Sequence, residues 1–218
     1  MSWVKTYYQI TGDESTISLL KDQLLVDKEF TFNNLIPLPK ELKESTEIDE
    51  FSVSIILFLI YLDENTEYDV PTFPLKALGN EDIAEYLANN DFHVLVKTIT
   101  DDVTKLHLNI EKPLVSYLEK YYPEKSKVIL KYLSNYKKTG YYSIDDFFLS
   151  HYGSLTTPSH CETNIGKDYI KGSFLTQYSI PIIFFTYLKN TFPIKIVLSF
   201  LDVEEEVYVK LDSDFNPA

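Results

Sequence analysis

Strand-like alternation of apolar and polar residues stands at the start of this chain and returns near its end, a pattern that demands one sheet drawn from two distant segments. At the start, Val4, Thr6, Tyr8 and Ile10 fall on one side of a period-two pattern, with Lys5, Tyr7 and Gln9 on the other. Near the end, Ile170, Phe174 and Thr176 alternate around Gly172. Ile194, Ile196, Leu198 and Phe200 then form one face of a strand, and Val207, Val209 and Leu211 one face of the next. The short acidic link between those two predicts an antiparallel hairpin.

Helical spacing lies beside these strands. Gly12 ends the first, and Asp13 is placed to cap a helix carrying Ile17, Leu20 and Leu24, with Glu14 at its positive end. Ser179 is expected to cap another, with Pro181 in its first turn and Ile183, Phe184, Tyr187 and Leu188 inside; Phe192-Pro193 stops it. Pro37 and Pro39 force the chain after Leu35 and Ile36 to be extended or turning. The middle reads as mostly helical. Phe51 to Leu62 is a buried helix, or else a buried strand; 80–90 is a helix capped by Asn80; 92–110 is a helix or a hairpin. Pro113 opens a helix with Val115, Leu118 and Tyr122 that Pro123 stops, and another at about 124–137 carries Val128, Leu130 and Leu133. The expectation is an α+β domain, residues 1–40 plus 139–218, with helices on one face of an antiparallel sheet, interrupted by a mostly helical insertion at 41–138.

A hydrophobic share of 44% with 17 Tyr and 14 Phe is far too apolar for a disordered chain. Val53 to Leu62 is only half the roughly 20 residues a membrane helix needs, so no membrane span is expected. The start lacks the pattern of a secretory signal, and Cys161 is the only cysteine, which rules out an internal disulfide and fits a reducing cytoplasm. Net charge is −13, and every one of the 20 cationic residues is lysine. Without arginine's planar fork, direct reading of nucleic acid is disfavoured. The lysine-rich stretch at 112–138 is a weak exception, opposed by the charge of the whole chain.

Three separated stretches carry a resemblance. They are Phe30-Thr-Phe-Asn-Asn-Leu-Ile-Pro37-Leu-Pro39, the run from Gly140 to Ser154, and Gly172-Ser-Phe-Leu-Thr-Gln-Tyr-Ser-Ile-Pro181. With Trp3 and the Thr11-Gly12 strand end, they resemble the YubB-type ferredoxin-like domain family of plasmids and phages. The matching positions are Phe30, Phe32, Asn33, Leu35, Ile36, Pro37 and Pro39; Asp146, Phe147, Tyr152, Gly153 and Ser154; and Phe174, Thr176, Tyr178, Ser179 and Pro181. Phe147, Tyr152 and Tyr178 stand where that family usually has tryptophan, and Leu155-Thr-Thr replaces its Lys-Trp-Asp. The resemblance covers about half the chain, at both ends. It implies a ferredoxin-like sandwich and a mobile-element origin, and it implies no chemistry.

Two surfaces are candidate interfaces. Tyr152, Gly153 and Ser154 fall in a loop, and Thr176, Tyr178 and Ser179 at a strand-to-helix junction, where backbone N–H groups can meet an anion or a partner's carboxylate. The alternative for all six is packing. Between 41 and 69, nine acidic residues face one lysine; Glu44, Glu47, Asp49, Glu50, Asp63, Glu64, Glu67 and Asp69 form a solvated face or imitate a phosphate backbone. His151, His160 and Cys161, with Asp145 and Asp146 nearby, form the densest functional-looking patch, against a structural reading in which Asp145 and Asp146 after Ser143 are helix-start acids; His93 and His107 read as packed or surface histidines. No Gly-rich phosphate loop or zinc spacing occurs. The expectation is a non-enzymatic, cytoplasmic interaction protein without metal or cofactor, binding a host or defence protein, in one form by DNA mimicry. The alternative is an enzyme or small-ligand module around Tyr152, Ser154, His160 and Cys161.

Overall fold

A computed structural model describes residues 2–43, 48, 52, 53, 56, 115, 116, 118–120, 122–212 and 214–217. The chain divides into two compact units, Met1–Lys43 with Ile144–Ala218, and Glu44–Ser143. The first unit holds β1 (Trp3–Thr11), α1 (Glu14–Leu24), β2 (Leu25–Val26), β3 (Glu29–Phe30) and a turn of 3-10 helix at Lys40–Leu42. After the second unit it resumes with α3 (Ile144–His151), β4 (Ser159–Ile165), β5 (Tyr169–Gln177), α4 (Ile182–Thr191), β6 (Lys195–Asp202) and β7 (Val207–Lys210). It is an α+β unit whose five-stranded sheet runs β4-β5-β1-β6-β7, antiparallel throughout.

The first strand of the sequence is therefore the central one. All nine of its residues, Trp3 to Thr11, pair with β5, and Val4 to Thr11 pair with β6. The predicted alternation is realised: Val4, Thr6, Tyr8 and Ile10 are buried while Gln9 is exposed. Register sets Ile10 between Ile170 and Ile196, and Thr6 between Phe174 and Phe200, so one face of three strands becomes continuous apolar surface. Onto it pack Ile17, Leu20 and Leu24 of α1 and Phe184, Phe185 and Leu188 of α4. Tyr8 meets Gly172 across the ladder, and Gly172 is glycine for a spatial reason: a Cβ there would overlap the backbone carbonyl of Glu162 on β4. The register of β4 shifts between Ser159 and Glu162, a bulge that brings that carbonyl close.

Asp13 caps α1 as expected, its carboxylate accepting the Thr16 N–H at 2.8 Å. Ser179 does not cap α4. The cap position is Pro181, without a side-chain hydrogen bond, and the Ser179 hydroxyl donates instead to the Gly153 carbonyl. A capping hydroxyl must accept an N–H of the first turn, and Ser179 lies two residues ahead of the cap position.

In the second unit, α2 (Pro123–Thr139) is fully described. Helix is described through Lys120 and Tyr122 is non-helical, so the chain leaves the preceding helix just before Pro123 as expected; Pro123 also opens α2, since a ring at the first position forfeits only an N–H that has no helical partner. Gly140, at φ +81°, closes it. Its buried stripe is Ser126, Ile129, Tyr132, Leu133 and Asn135; Leu130 is exposed and Val128 half-buried, so the expected face is rotated by about one residue. Ser52, Val53, Ile56, Val115, Ser116 and Leu118 to Lys120 are helical. The rest of 51–62, and the expected elements at 80–90 and 92–110, lie outside the described residues. Among the described residues no helix is long and apolar enough to cross a membrane.

Candidate functional site

The three signature stretches converge within the first unit, and aromatic rings do the joining. Tyr152, at the end of α3, is fully buried, its ring 4.7 Å from Phe32, 5.1 Å from Phe148 and 6.2 Å from Phe184. Phe32 lies 4.3 Å from Phe184 and 5.9 Å from Phe174, so the first, second and third stretches share one cluster. The Tyr152 hydroxyl reaches back to the first stretch, at 2.9 Å from Asn33 Oδ1 and 2.8 Å from the Ile36 carbonyl. Burial pushes its pKa far up, so it stays a neutral donor.

The remaining candidates are equally engaged. Gly153, at φ +79°, turns the chain out of α3, its N–H on the Phe148 and Leu149 carbonyls. Ser154, fully buried, donates to the Thr156 carbonyl at 2.9 Å, and Thr156 Oγ1 accepts the Gln177 N–H at 3.0 Å. Thr176, also fully buried, donates to the Ser179 carbonyl at 2.9 Å. These bonds lace the loop after α3 to the end of β5. Tyr178 differs: it is 66% exposed at φ +77°, its N–H on the Ser2 carbonyl. Five of the six residues are thus scaffold, the packing alternative, and Tyr178 alone presents a ring to solvent.

The four residues of the enzyme alternative point to separate partners. Tyr152 and Ser154 spend their hydroxyl protons on backbone or Asn33, while His160, at φ +50°, is exposed with Nδ1 3.4 Å from its neighbour Ser159 Oγ. The Cys161 Sγ lies 3.8 Å from the Phe30 carbonyl, and burial raises its pKa, with the Glu29 carboxylate pushing the same way. A thiol held protonated is the reverse of an activated nucleophile. Among the described residues no group of three or more His, Cys, Asp or Glu can hold a metal ion. Burial also raises the pKa of Asp145 and lowers that of His151, whose ring sits 4.5 Å from Phe147. The eight acidic candidates from Glu44 to Asp69 lie outside the described residues, as do His93 and His107.

What the sequence reading passed over is the other face of the sheet. There β1 sets Lys5, Tyr7 and Gln9 beside Lys171 and Leu175 of β5 and beside Val197, Ser199 and Leu201 of β6. Val197 is 53% and Tyr208 of β7 61% exposed, and an open depression of about 500 Å³ is lined by Tyr7, Gln9, Asn164, Lys171, Val197 and Ser199. The signal was present as the polar half of the alternation in β1, β5, β6 and β7.

No family model matches the sequence, and no curated protein matches it. Among solved structures, the chain is similar to the crystal structure of a protein api92 from Yersinia pseudotuberculosis, of family DUF1281. The two are 11% identical with a TM-score of 0.41, over 99% of this chain and 96% of that one.

Proposed function

We propose that this protein is a non-enzymatic interaction protein of a plasmid or phage, built on a YubB-type ferredoxin-like sandwich and acting in the cytoplasm on a host or defence protein. The observation that carries the reading is the convergence around Tyr152: the three stretches that bear the family resemblance meet in one aromatic cluster. In this reading their pattern is a fold signature, since the hydroxyls of Tyr152, Ser154, Thr176 and Ser179 are all bonded within the unit while Tyr178 stays exposed. Strand order supports the ferredoxin-like part. With the closing β7 set aside, β4-β5-β1-β6 places the first strand of the unit between the third and the fourth, as two interlocked β-α-β halves require. Partner choice rests on the acids between 41 and 69, which in this reading stand in for the phosphates of a nucleic acid.

Affinity capture from the native host, followed by mass spectrometry at low and raised salt, tests it. A nucleic-acid-binding complex that is held at low salt is expected, and lost when the eight acids from Glu44 to Asp69 are changed to Gln or Asn. Partners unchanged by that neutralisation overturn the mimicry, and turnover of a small molecule by the purified chain overturns the non-enzymatic reading.

A further inference from the structure

We propose that the open face of the sheet binds single-stranded nucleic acid. This goes beyond the reading above and concerns the opposite sign of charge. Antiparallel register brings four lysines to that face, Lys5 on β1, Lys171 on β5, Lys195 on β6 and Lys210 on β7, and the strand residues there add one acid, Glu162, 3.8 Å from Lys5. The net charge of −13 belongs to the whole chain. At physiological salt, charges act over about 8 Å, so a strand lying on the sheet meets the local excess of lysine.

Aromatic residues choose the ligand class. Tyr7 stands at the centre of the face with Tyr208 leaning across β6 toward it, ring centroids 6.2 Å apart, and the Tyr208 hydroxyl is fixed at 2.7 Å from Ser199 Oγ. Beside Tyr7 is the open depression, lined by Gln9, Lys171 and Ser199 and also by Glu162, while Lys5 and Lys171 lie over the Tyr7 and Tyr169 rings at 5.5 and 5.3 Å. The exposed ring of Tyr208 and the half-buried rings of Tyr7 and Tyr169, interleaved with lysines, are a surface on which unstacked bases and their phosphates can lie once the lysines swing aside, and stacking tolerates any base. An acidic peptide would use the lysines and leave the rings idle. A duplex would hide its bases from a broad five-stranded surface, and with no arginine in the chain there is no fork to read guanine edges.

The test is a fluorescence-anisotropy titration of the full chain with a labelled oligo-dT, a duplex of the same length and poly-glutamate, at about 50 and about 200 mM salt. Trp3, the only tryptophan, belongs to the same outward register of β1, so its emission reports binding at this face. Saturable binding of oligo-dT is expected, tighter than that of the duplex or poly-glutamate, with a change in Trp3 emission. Tyr7→Ala weakens it about fivefold or more while Tyr7→Phe retains it, because the ring face does the stacking. Lys171→Gln lowers the salt slope by about 0.7, whereas Lys127→Gln on α2 leaves it unchanged. Circular dichroism of each variant establishes that it is folded, and a misfolded Tyr7→Ala is replaced by Tyr208→Ala on the exposed edge strand. Absence of saturable binding at about 50 mM salt overturns the proposal, as does binding insensitive to Tyr7, Tyr208 and Lys171, or preference for duplex or poly-glutamate.

Discussion

At the scale of single residues, most of the described hydroxyls in the signature stretches are occupied in holding the first unit together. Tyr152 is the clearest case. Replacing it by Phe keeps the ring among Phe32, Phe148 and Phe184 but strips Asn33 and the Ile36 carbonyl of their donor. We expect Tyr152→Phe to lose about 1–3 kcal/mol in urea unfolding, the cost of leaving buried acceptors unpaired. Unchanged stability would mean that the hydroxyl serves something other than the fold. Gly172→Ala should be worse than its single methyl suggests. The new Cβ overlaps backbone, the carbonyl of Glu162, and has the Tyr8 hydroxyl 2.9 Å away, so β4 must shift as a whole. About 1–3 kcal/mol or more is expected, with the loss of protection in hydrogen exchange concentrated on β4 and β5.

At the scale of elements, three aspartates stabilise chain reversals by accepting backbone N–H groups or nearby hydroxyls. Asp13 takes the Ser15 hydroxyl at 2.5 Å and the Thr16 N–H at 2.8 Å; Asp202 takes the N–H groups of Glu205 and Glu204 in the β6–β7 turn; Asp212 takes those of Asn216 and Asp214. Those bonds, first the Ser15 hydroxyl, then the Glu205 and Asn216 N–H groups, hold all three pKa values below the usual range. A depressed folded pKa gives stability that is complete above the unfolded value of about 4 and lost as pH falls through the folded one. Asp145, raised by burial, acts with the opposite sign. Comparison with Asp13→Asn isolates the cap, because Asp145 is common to both proteins: the melting temperatures should converge as pH falls below about 4. A constant gap down to pH of about 2 would show that the carboxylate's charge contributes nothing. Elements buried on one side were legible in sequence, since β1, β5 and β6 alternate and α1 repeats at helical spacing. Missed was β4, whose Ser159-His-Cys-Glu-Thr-Asn-Ile165 has an edge strand's partial burial and no apolar face, so in sequence His160 and Cys161 stand within the enzyme alternative. The engagement of Ser154, Thr176 and Ser179 was equally hidden, because it depends on which carbonyls the tertiary fold brings near.

At the scale of the whole molecule, the placement of β1 makes the two terminal segments mutually dependent. Residues 144–218 alone supply two hairpins, β4–β5 and β6–β7, whose facing edges are both designed for β1. Residues 1–43 supply β1 and α1 but only the two-residue pairing of β2 with β3 to hold them. Without the central strand, Ile170, Phe174, Ile196 and Leu198 lose the ladder that aligns them, and two unpaired edges are exposed to aggregation. Each segment made separately should therefore lack a cooperative melting transition. Mixed, or joined by a flexible Gly/Ser linker in place of 44–143, they should regain one together with dispersed amide resonances. In that complex, exchange should be slowest along β1, where both edges are paired, and fastest along β4 and β7. A cooperative transition from 144–218 alone would show that β5 and β6 can pair without β1. The chain's architecture would then rest on the closing segment and not on the joining of its two ends.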